Sequence, residues 1–400
     1  MYTTELTKGV NIHILPTDKF QTITLCILLR TPLKRETVTA NSLLARAILN
    51  GCAKYKTRRA IEIRLEEIDS TINSNILKKG EEHIIELFCK TTPTYLEDAI
   101  DLLGSILLKP LFNNIDSSIN DLECTINSLV NDKRRYALEK CIESMCEKEP
   151  YGINGDGYIE DIKNVSIHSH YNHVIDNAKV DIIAIGSVEN EEIIEYINKY
   201  IHLFSRNTEL EPCNYLYYPA AEKNIDESME ITQGKLCVGF RMNINPIGDD
   251  WYKAIVANEL FGGSASSALF MQARESESLC YYISSKLLRF KSLMMIEAGI
   301  DSENKEKVIE IIKSAFSNIS EENIEIAKEN IINGYKIAQD KPERIMDSIL
   351  GGLIIGKEQS LESAIEGIKR VDTIKDIFKD SQLDTIFMLS KEDNNDKYNQ

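Results

Sequence analysis

Arg274 and Tyr281 stand at the two ends of a charged turn in the stretch Glu259–Tyr282, "ELFGGSASSALFMQARESESLCYY". A guanidinium binds carbonyl or carboxylate oxygens through a fork of donors, and a phenol can donate to a developing oxyanion. Both residues also have a purely structural interpretation. An arginine in the last turn of a helix favours the helix dipole, and a tyrosine is an ordinary strand residue. If the strand alternates regularly, Tyr281 and Tyr282 face opposite sides of the sheet.

The segment "KKGEEHIIELF" contains two incomplete versions of the zinc motif H-x-x-E-H, in which two histidines one helical turn apart bind the metal. Over Lys79–His83 the first ligand is a lysine, and over His83–Leu87 the second ligand is a leucine. Neither side chain can replace an imidazole. The segment also follows a glycine and alternates like a strand, which argues against a zinc helix here.

Three histidines in "HSHYNH", at positions 168, 170 and 173, form a second candidate metal cluster. His168 and His170 would point to different faces of a helix, whereas His170 and His173 could share one. No acid or thiol nearby in the sequence completes a metal site, so a solvated helix start is the favoured interpretation.

The stretch "GGSASSA" lacks the spacing of a phosphate-binding glycine loop and has no following lysine. We expect Gly262 and Gly263 to end the helix that contains Trp251–Phe261, and Ser264 to cap the next one.

The elements that position these residues form two similar halves. In the first, strand patterns at 10–15 and 20–30 precede a helix at about 37–50, a helix capped by Thr57 and a hairpin over about 71–90. Pro93 begins another helix, and a long helical region covers about 116–147. A strand at 180–186 and a helix at 189–204 complete this half.

The second half repeats the first. "IEDIKNV" at 159–165 reappears as "IEGIKRV" at 365–371, and "VDIIAIGS" at 180–187 has its counterpart in "LDTIFMLS" at 383–390. The pattern predicts an α+β fold made of two homologous α/β domains, each a largely antiparallel sheet packed by helices. We place the domains at 1–205 and 229–400, with 206–228 as the linker.

Composition excludes several classes of function. The net charge of −17 makes nucleic acid an improbable partner, and no apolar run is long enough for a membrane helix. The N-terminus shows no secretion signal, and nine cysteines without a C-x-x-C pair are typical of a reducing compartment. We therefore expect a cytoplasmic protein.

The duplicated halves and the stretch around Arg274 resemble the insulinase-like (pitrilysin) metallopeptidase family over about 1–395. The family's second domain carries G-G-x-x-S-x-L-F, then an arginine, then L-x-Y on the next strand. The matching positions are Gly262, Gly263, Ser267, Leu269, Phe270, Arg274, Leu279 and Tyr281. The resemblance implies a fold that forms half of a clam-shell, with Arg274 and Tyr281 facing a proteolytic chamber, contacting the peptide substrate and assisting at the scissile carbonyl.

The family's catalytic motif is missing. Active members carry H-x-x-E-H on the first helix of the first domain, and counting back from Gly51 places Ser42 and Arg46 at the two ligand positions and Ala45 at the general base. In the segment 121–137, where the third ligand is sought, Glu123 is the only glutamate. We therefore expect no bound metal or other cofactor, no catalytic residue in this chain, and no peptide hydrolysis by the chain alone.

Some bacterial and organellar members of the family divide the work between two similar chains. One chain keeps the zinc motif and the other keeps the arginine–tyrosine pair. This chain is similar to the second kind, within it most of all to zinc-less bacterial proteins associated with elongation factor P modification, through "NDKRRYA" (131–137) and "QGKL" (233–236). The resemblance implies a zinc-bearing paralogous partner and a peptide substrate bound by Arg274 and Tyr281.

Two other hypotheses stay open on the sequence. One is an inert scaffold or peptide-binding pseudoenzyme, for which the retained pair has no obvious use. The other is a hydrolase with an unusual metal site built from scattered His and Cys. The sequence also leaves open whether the isolated chain forms a homodimer.

Overall fold

The computed structural model describes residues 1–211, 213–216 and 222–392. The chain divides into two compact units. The first contains Met1–Ser128, Ile153–Pro212 and Asp340–Asp347, and the second contains Leu129–Gly152, Cys213–Gln339 and Ser348–Gln400. The second unit therefore includes a segment that lies inside the first half of the sequence.

The first unit is built on a six-stranded sheet of order β1-β2-β6-β3-β5-β4. Its strands are β1 (Tyr2–Thr7), β2 (Val10–Pro16), β3 (Ile23–Pro32), β4 (Thr71–Lys79), β5 (Glu82–Thr91) and β6 (Lys179–Gly186). Only β2 and β6 pair in parallel.

Helices cover one face of this sheet and close an apolar core rich in Ile and Leu. They are α1 (Arg35–Ala47), α2 (Arg58–Glu67), α3 (Leu96–Leu108), α4 (Ile115–Ser128), α6 (Ile159–Ile162), α7 (Ile167–Asn177) and α8 (Asn190–Tyr200). The Thr57 hydroxyl accepts the Ala60 N–H at 3.2 Å, so the expected cap of α2 is confirmed. Pro93 starts a short 3₁₀ turn that leads into α3.

The second unit contains a five-stranded sheet of order β7-β11-β8-β10-β9. Its strands are β7 (Lys223–Met229), β8 (Gly234–Arg241), β9 (Cys280–Leu288), β10 (Leu293–Ile300) and β11 (Gln382–Lys391). Its helices are α5 (Lys133–Met145), α9 (Asp250–Asn258), α10 (Lys305–Ser317), α11 (Ile324–Ala338), α12 (Pro342–Ile355, which begins in the first unit) and α13 (Leu361–Lys369).

Helix α5 packs on β8 and β11 and closes a small core on one face of the second sheet. The other face carries the larger core. The expected long helical region at 116–147 is thus two helices, α4 and α5, which belong to different units.

The two sheets share one topology, and the predicted fold class with its internal duplication is confirmed. In each, a parallel pair (β2 with β6, β7 with β11) continues through three antiparallel strands in the same order. Each sheet also has a buried arginine paired with a buried aspartate: Arg30 with Asp181 at 2.6 Å, and Arg241 with Asp384 at 2.7 Å.

Two strands were not expected from the sequence. β1 lies at the edge of the first sheet and β7 at the edge of the second. β7 occupies the end of the segment interpreted as a linker over 206–228, and positions 212 and 217–221 of that segment lie outside the described residues.

Candidate functional site

The glycine pair of the second unit brings a helix end very close to strand β9. After α9 the chain continues as a π-helical segment, Glu259–Gly263, and then turns to extended backbone at Ser264. A Cβ at Gly262 would lie 2.5 Å from the Ser285 Oγ and 3.0 Å from the Leu269 Cδ1. Position 262 therefore requires glycine for close packing, and the predicted helix end at the glycine pair is confirmed.

The expected side-chain cap at Ser264 is wrong. Its hydroxyl donates back to the Glu259 carbonyl at 3.4 Å and bonds the Ser266 hydroxyl at 3.2 Å. The main-chain carbonyl of Ser264, not its side chain, accepts the Ser267 N–H at 3.2 Å. The turn is held by these local bonds.

Arg274 lies in a second π-helical segment, Phe270–Ser276, and its side chain is exposed. Its guanidinium carbon stands 4.9 Å from the centre of the Phe270 ring, a cation–π contact that orients the group. Among the described residues it has no hydrogen-bond or ion-pair partner, so all of its N–H donors are available to a ligand. π-helical turns are rare and are frequent at functional sites.

Tyr281 lies at a β-bulge near the start of β9. The register steps from Gly299↔Tyr282 to Ile300↔Cys280, so Tyr281 has no cross-strand partner on β10. The regular alternation expected for the two tyrosines is interrupted here. Bulges re-aim side chains, and Tyr281 is 57% exposed.

The structure thus places Arg274 and Tyr281 on neighbouring elements, because the segment Phe270–Ser276 packs against β9. Both side chains point to solvent, and neither forms a hydrogen bond or ion pair within the described part of the chain. The arrangement offers a cationic fork and a phenol hydroxyl to an incoming oxygen atom.

The positions of the absent zinc motif are occupied by groups with other partners. Ser42 is fully buried in α1 and donates to the Gly155 carbonyl at 3.1 Å, while Arg46 donates to the Ser42 carbonyl at 2.9 Å. Burial lowers the pKa of Arg46. Glu123 lies on α4, which packs against α1. A guanidinium has no lone pair for a metal, so this set is not a zinc-binding set.

Next to Ser42 lies a buried polar cluster that sequence reasoning missed. The Asn41 amide nitrogen donates to the His83 Nδ1 at 3.0 Å, and the Asn41 oxygen bonds the His170 Nε2 at 2.7 Å. The His83 Nε2 in turn bonds the Gly155 carbonyl at 2.9 Å. Burial lowers the pKa of both His83 and His170 to about 4, so both rings are neutral at pH 7. Asn41 at a core position of an amphipathic helix is the one sequence feature that indicates this cluster.

The two near-miss zinc motifs do not form metal sites. Lys79 ends β4, while His83 and Leu87 lie in β5, so the expected hairpin is confirmed. His168 packs edge-on against Phe112. Across residues 1–211, 213–216 and 222–392, no group of three or more His, Cys, Asp or Glu side chains could hold a metal ion.

No helix in the described ranges is both long enough and apolar enough to cross a membrane.

Comparison with known proteins extends this picture. The family model described as Peptidase M16 inactive domain matches residues 162–331. The probable inactive metalloprotease YmfF of Bacillus subtilis is 28% identical over 408 residues, which cover 95% of this chain and 96% of that protein.

Solved structures agree on the fold. A conserved protein from Enterococcus faecalis superposes with a TM-score of 0.91 at 25% identity, covering 98% of both chains. A peptidase M16 inactive domain from Pseudomonas fluorescens does so with a TM-score of 0.81 at 14% identity, also over 98% of both chains. Together, these matches show that the chain is similar to inactive members of the peptidase M16 group.

Proposed function

We propose that this chain is the non-catalytic, substrate-binding subunit of a heterodimeric insulinase-like zinc peptidase. It would supply Arg274 and Tyr281 to a site whose zinc is held by a paralogous partner chain. The observation that carries the proposal is that both side chains are exposed and, within the described residues, form no hydrogen bond or ion pair, in a turn fixed by two π-helical segments and a bulge. The positions for a zinc of its own hold Ser42, Ala45 and Arg46.

A comparison with two buried arginines of this chain strengthens the argument. Arg30 and Arg241 are buried, and each is neutralised by two carboxylates. Arg274, in contrast, contacts the Phe270 ring, which orients the guanidinium and leaves its N–H donors unused within the described part of the chain. A peptide carbonyl or carboxylate is the kind of acceptor that a guanidinium in this state binds.

Peptidase assays on the mixed subunits test the proposal. Arg274→Ala and Tyr281→Phe should each lower kcat by about 10²-fold to 10³-fold, because each removes a donor to the reacting group. Arg370→Ala and Tyr2→Phe are matched controls, since Arg370 and Tyr2 are also exposed, and they should leave the rate unchanged. Full activity with both Arg274→Ala and Tyr281→Phe would remove these residues from the site.

The same experiment distinguishes this proposal from the alternative, in which the chain is an inert scaffold or a peptide-binding pseudoenzyme. A stable complex that never cleaves peptide, with any partner, would favour that role.

The association with elongation factor P modification stays a prediction of the resemblance, and a pull-down of the paired subunits with modified and unmodified factor would test it. Whether the isolated chain is a homodimer is measured by sedimentation.

We also propose a cytoplasmic location. The described residues include all nine cysteines and no disulfide, and several of these thiols are deeply buried. Burial raises the pKa of the Cys89 thiol to about 12 and that of the Cys26 thiol well above its usual value, so these groups behave as small apolar side chains. Nine thiols with no disulfide among the described residues suit a reducing compartment.

A further inference from the structure

The segments "NDKRRYA" and "QGKL", which are separate in sequence, meet on the second sheet around the ring of Tyr282. The Arg134 guanidinium carbon stands 4.5 Å from the ring centre, and the Lys235 ammonium stands 5.5 Å from it. Lys286 lies on the same strand as Tyr282, four residues further on. We call Arg134, Lys235 and Lys286 the cation cluster.

The carboxylate of Glu297 is shared between two members of the cluster. Glu297 Oε2 accepts from Arg134 Nε at 2.8 Å, and its Oε1 pairs with Lys286 Nζ at 2.8 Å. Lys235 has no carboxylate partner among the described residues. Its ammonium donates to the neutral Gln233 Oε1 at 2.5 Å. Asp132 is the other acid whose charge reaches Arg134 and Lys235.

The cluster therefore has more positive charge than its own acids neutralise. This excess occurs in a chain of net charge −17. The first turn of α5, which carries Arg134, contains two further cations, Lys133 and Arg135, and no acid. Cations at this end of a helix oppose the helix dipole, and Asp132, the N-cap of α5, offsets part of that cost by accepting the Arg135 N–H at 3.0 Å.

The Tyr282 and Gln233 side chains beside the cation cluster pack closely over Gly299. A Cβ at Gly299 would lie 2.4 Å from the Tyr282 ring and 2.8 Å from the Gln233 Oε1, so glycine is required for both side chains to lie across the sheet. Burial raises the pKa of Tyr282 to about 12, which keeps its hydroxyl protonated as a donor. Burial and the neighbouring Arg134 lower the pKa of Lys235.

We propose that the cation cluster is a binding site for an oxyanion, the carboxylate or phosphate group of a ligand, with Lys235 as its principal contact. Arg134 and Lys286 have side chains that are 50% and 43% exposed, so both are accessible to a ligand. Neither Arg274 nor Tyr281 is a member of the cation cluster, and the test of this site needs neither a partner chain nor turnover.

Binding to the isolated full-length chain tests the proposal. The probe is a fluorescein-labelled hexaglutamate peptide, followed by anisotropy at low and physiological salt, with inorganic phosphate as competitor. Lys235→Gln should weaken binding about tenfold or more, because it removes a charged donor from a partly buried site. Lys253→Gln is the matched control. It makes the same change in net charge on the same unit, where Lys253 pairs with Asp250, and it should bind as the wild type does.

Lysine acetylation followed by mass spectrometry gives a measurement on unmutated protein. Lys235 should be protected by the peptide or by phosphate, while Lys253 stays reactive. Protection by the peptide alone identifies carboxylate as the ligand group, and protection by phosphate alone identifies phosphate. The proposal is overturned if neither probe protects Lys235, or if Lys253→Gln weakens binding as much as Lys235→Gln.

Discussion

The two repeats of this chain keep the same buried arginine–aspartate pair and surround it differently. In the first repeat, Arg30 on β3 donates to Asp181 on β6. It also donates to both carboxylate oxygens of Glu82 on β5, each at 2.7 Å. In the second, Arg241 on β8 bonds Asp384 on β11. Its other carboxylate comes from outside the repeat.

That second carboxylate is Glu149, 2.6 Å from the guanidinium and just beyond helix α5. The Arg241 guanidinium also donates to the Met145 carbonyl, the last residue of α5. The ion pair is thus a feature of the repeated sheet, whereas its surroundings depend on which helix covers it. This difference shows that the two repeats share the buried arginine–aspartate pair and differ in the segment that supplies its second carboxylate.

The largest effect should come from breaking these pairs. Arg30→Met removes the guanidinium shared by buried Asp181 and Glu82, and Arg241→Met removes the one shared by Asp384 and Glu149. Each should cost about 3–5 kcal/mol of unfolding free energy, although Asp181 keeps its His13 hydrogen bond and Glu149 keeps its pair with Lys291 at 2.6 Å. Urea denaturation of the full chain measures this.

Arg58→Met is the control for this experiment, because the Arg58–Glu62 pair is well exposed and should contribute less than about 0.5 kcal/mol. If only one of the two buried pairs proves important, the repeats are not energetically equivalent.

A second, smaller effect is a loss of stability at acidic pH, which should come from the first repeat alone. Ile84 lies opposite Arg30 and follows His83 in the sequence, whereas Leu293 lies opposite Arg241 and follows Ser292. The folded-state pKa of His83, about 4, lies below the unfolded value of about 6.5. The unfolded chain therefore binds more protons between these values. Stability is fully present above pH 6.5 and falls as the pH drops towards 4, by about 3 kcal/mol from His83.

Unfolding curves across that pH range check this prediction, and His83→Gln should flatten the slope. Asp181 contributes in a lower window. Although burial alone would raise the pKa of this carboxyl, the His13 hydrogen bond and the Arg30 charge hold it at about 2. Its share of stability is lost only as the pH falls below about 4. An unchanged slope in His83→Gln between pH 4 and 6.5 would show that His83 is not the group responsible.

The smallest effect concerns two glycines of the second repeat. Gly262→Ala must displace Ser285 or Leu269 and should destabilise the chain by about 1–3 kcal/mol. Gly334→Ala in α11 meets no atom within 4 Å and should stabilise by up to about 1 kcal/mol. Opposite signs in thermal unfolding would confirm the close approach at the glycine pair. The same sign for both would mean that the pair has only a turn-forming role.

Much of the fold could be predicted from the sequence because the buried strands have clear apolar runs and the halves repeat. The missed strands, β1 and β7, are polar sheet edges, "YTTELT" and "KNIDESM", that are strands only because a neighbour pairs with them. The site was partly predictable. Arg274 and Tyr281 are marked by residue type and spacing, but the π-helical turns and the bulge that aim them depend on packing. The cation cluster combines residues from α5, β8 and β9, which no local pattern brings together.

The assignment of Leu129–Gly152 to the second unit has a consequence for biosynthesis. Helix α5 leaves the ribosome long before β11, yet the Cys141 thiol on α5 contacts the Thr385 carbonyl on β11 in the finished core. The apolar side of α5 therefore cannot be fully buried until Thr385, 244 residues after Cys141, has been made. A gene cut between the halves would not yield two self-sufficient proteins. The N-terminal fragment would carry α5 with its apolar side unburied, and the C-terminal fragment would lack the helix that packs on β8 and β11.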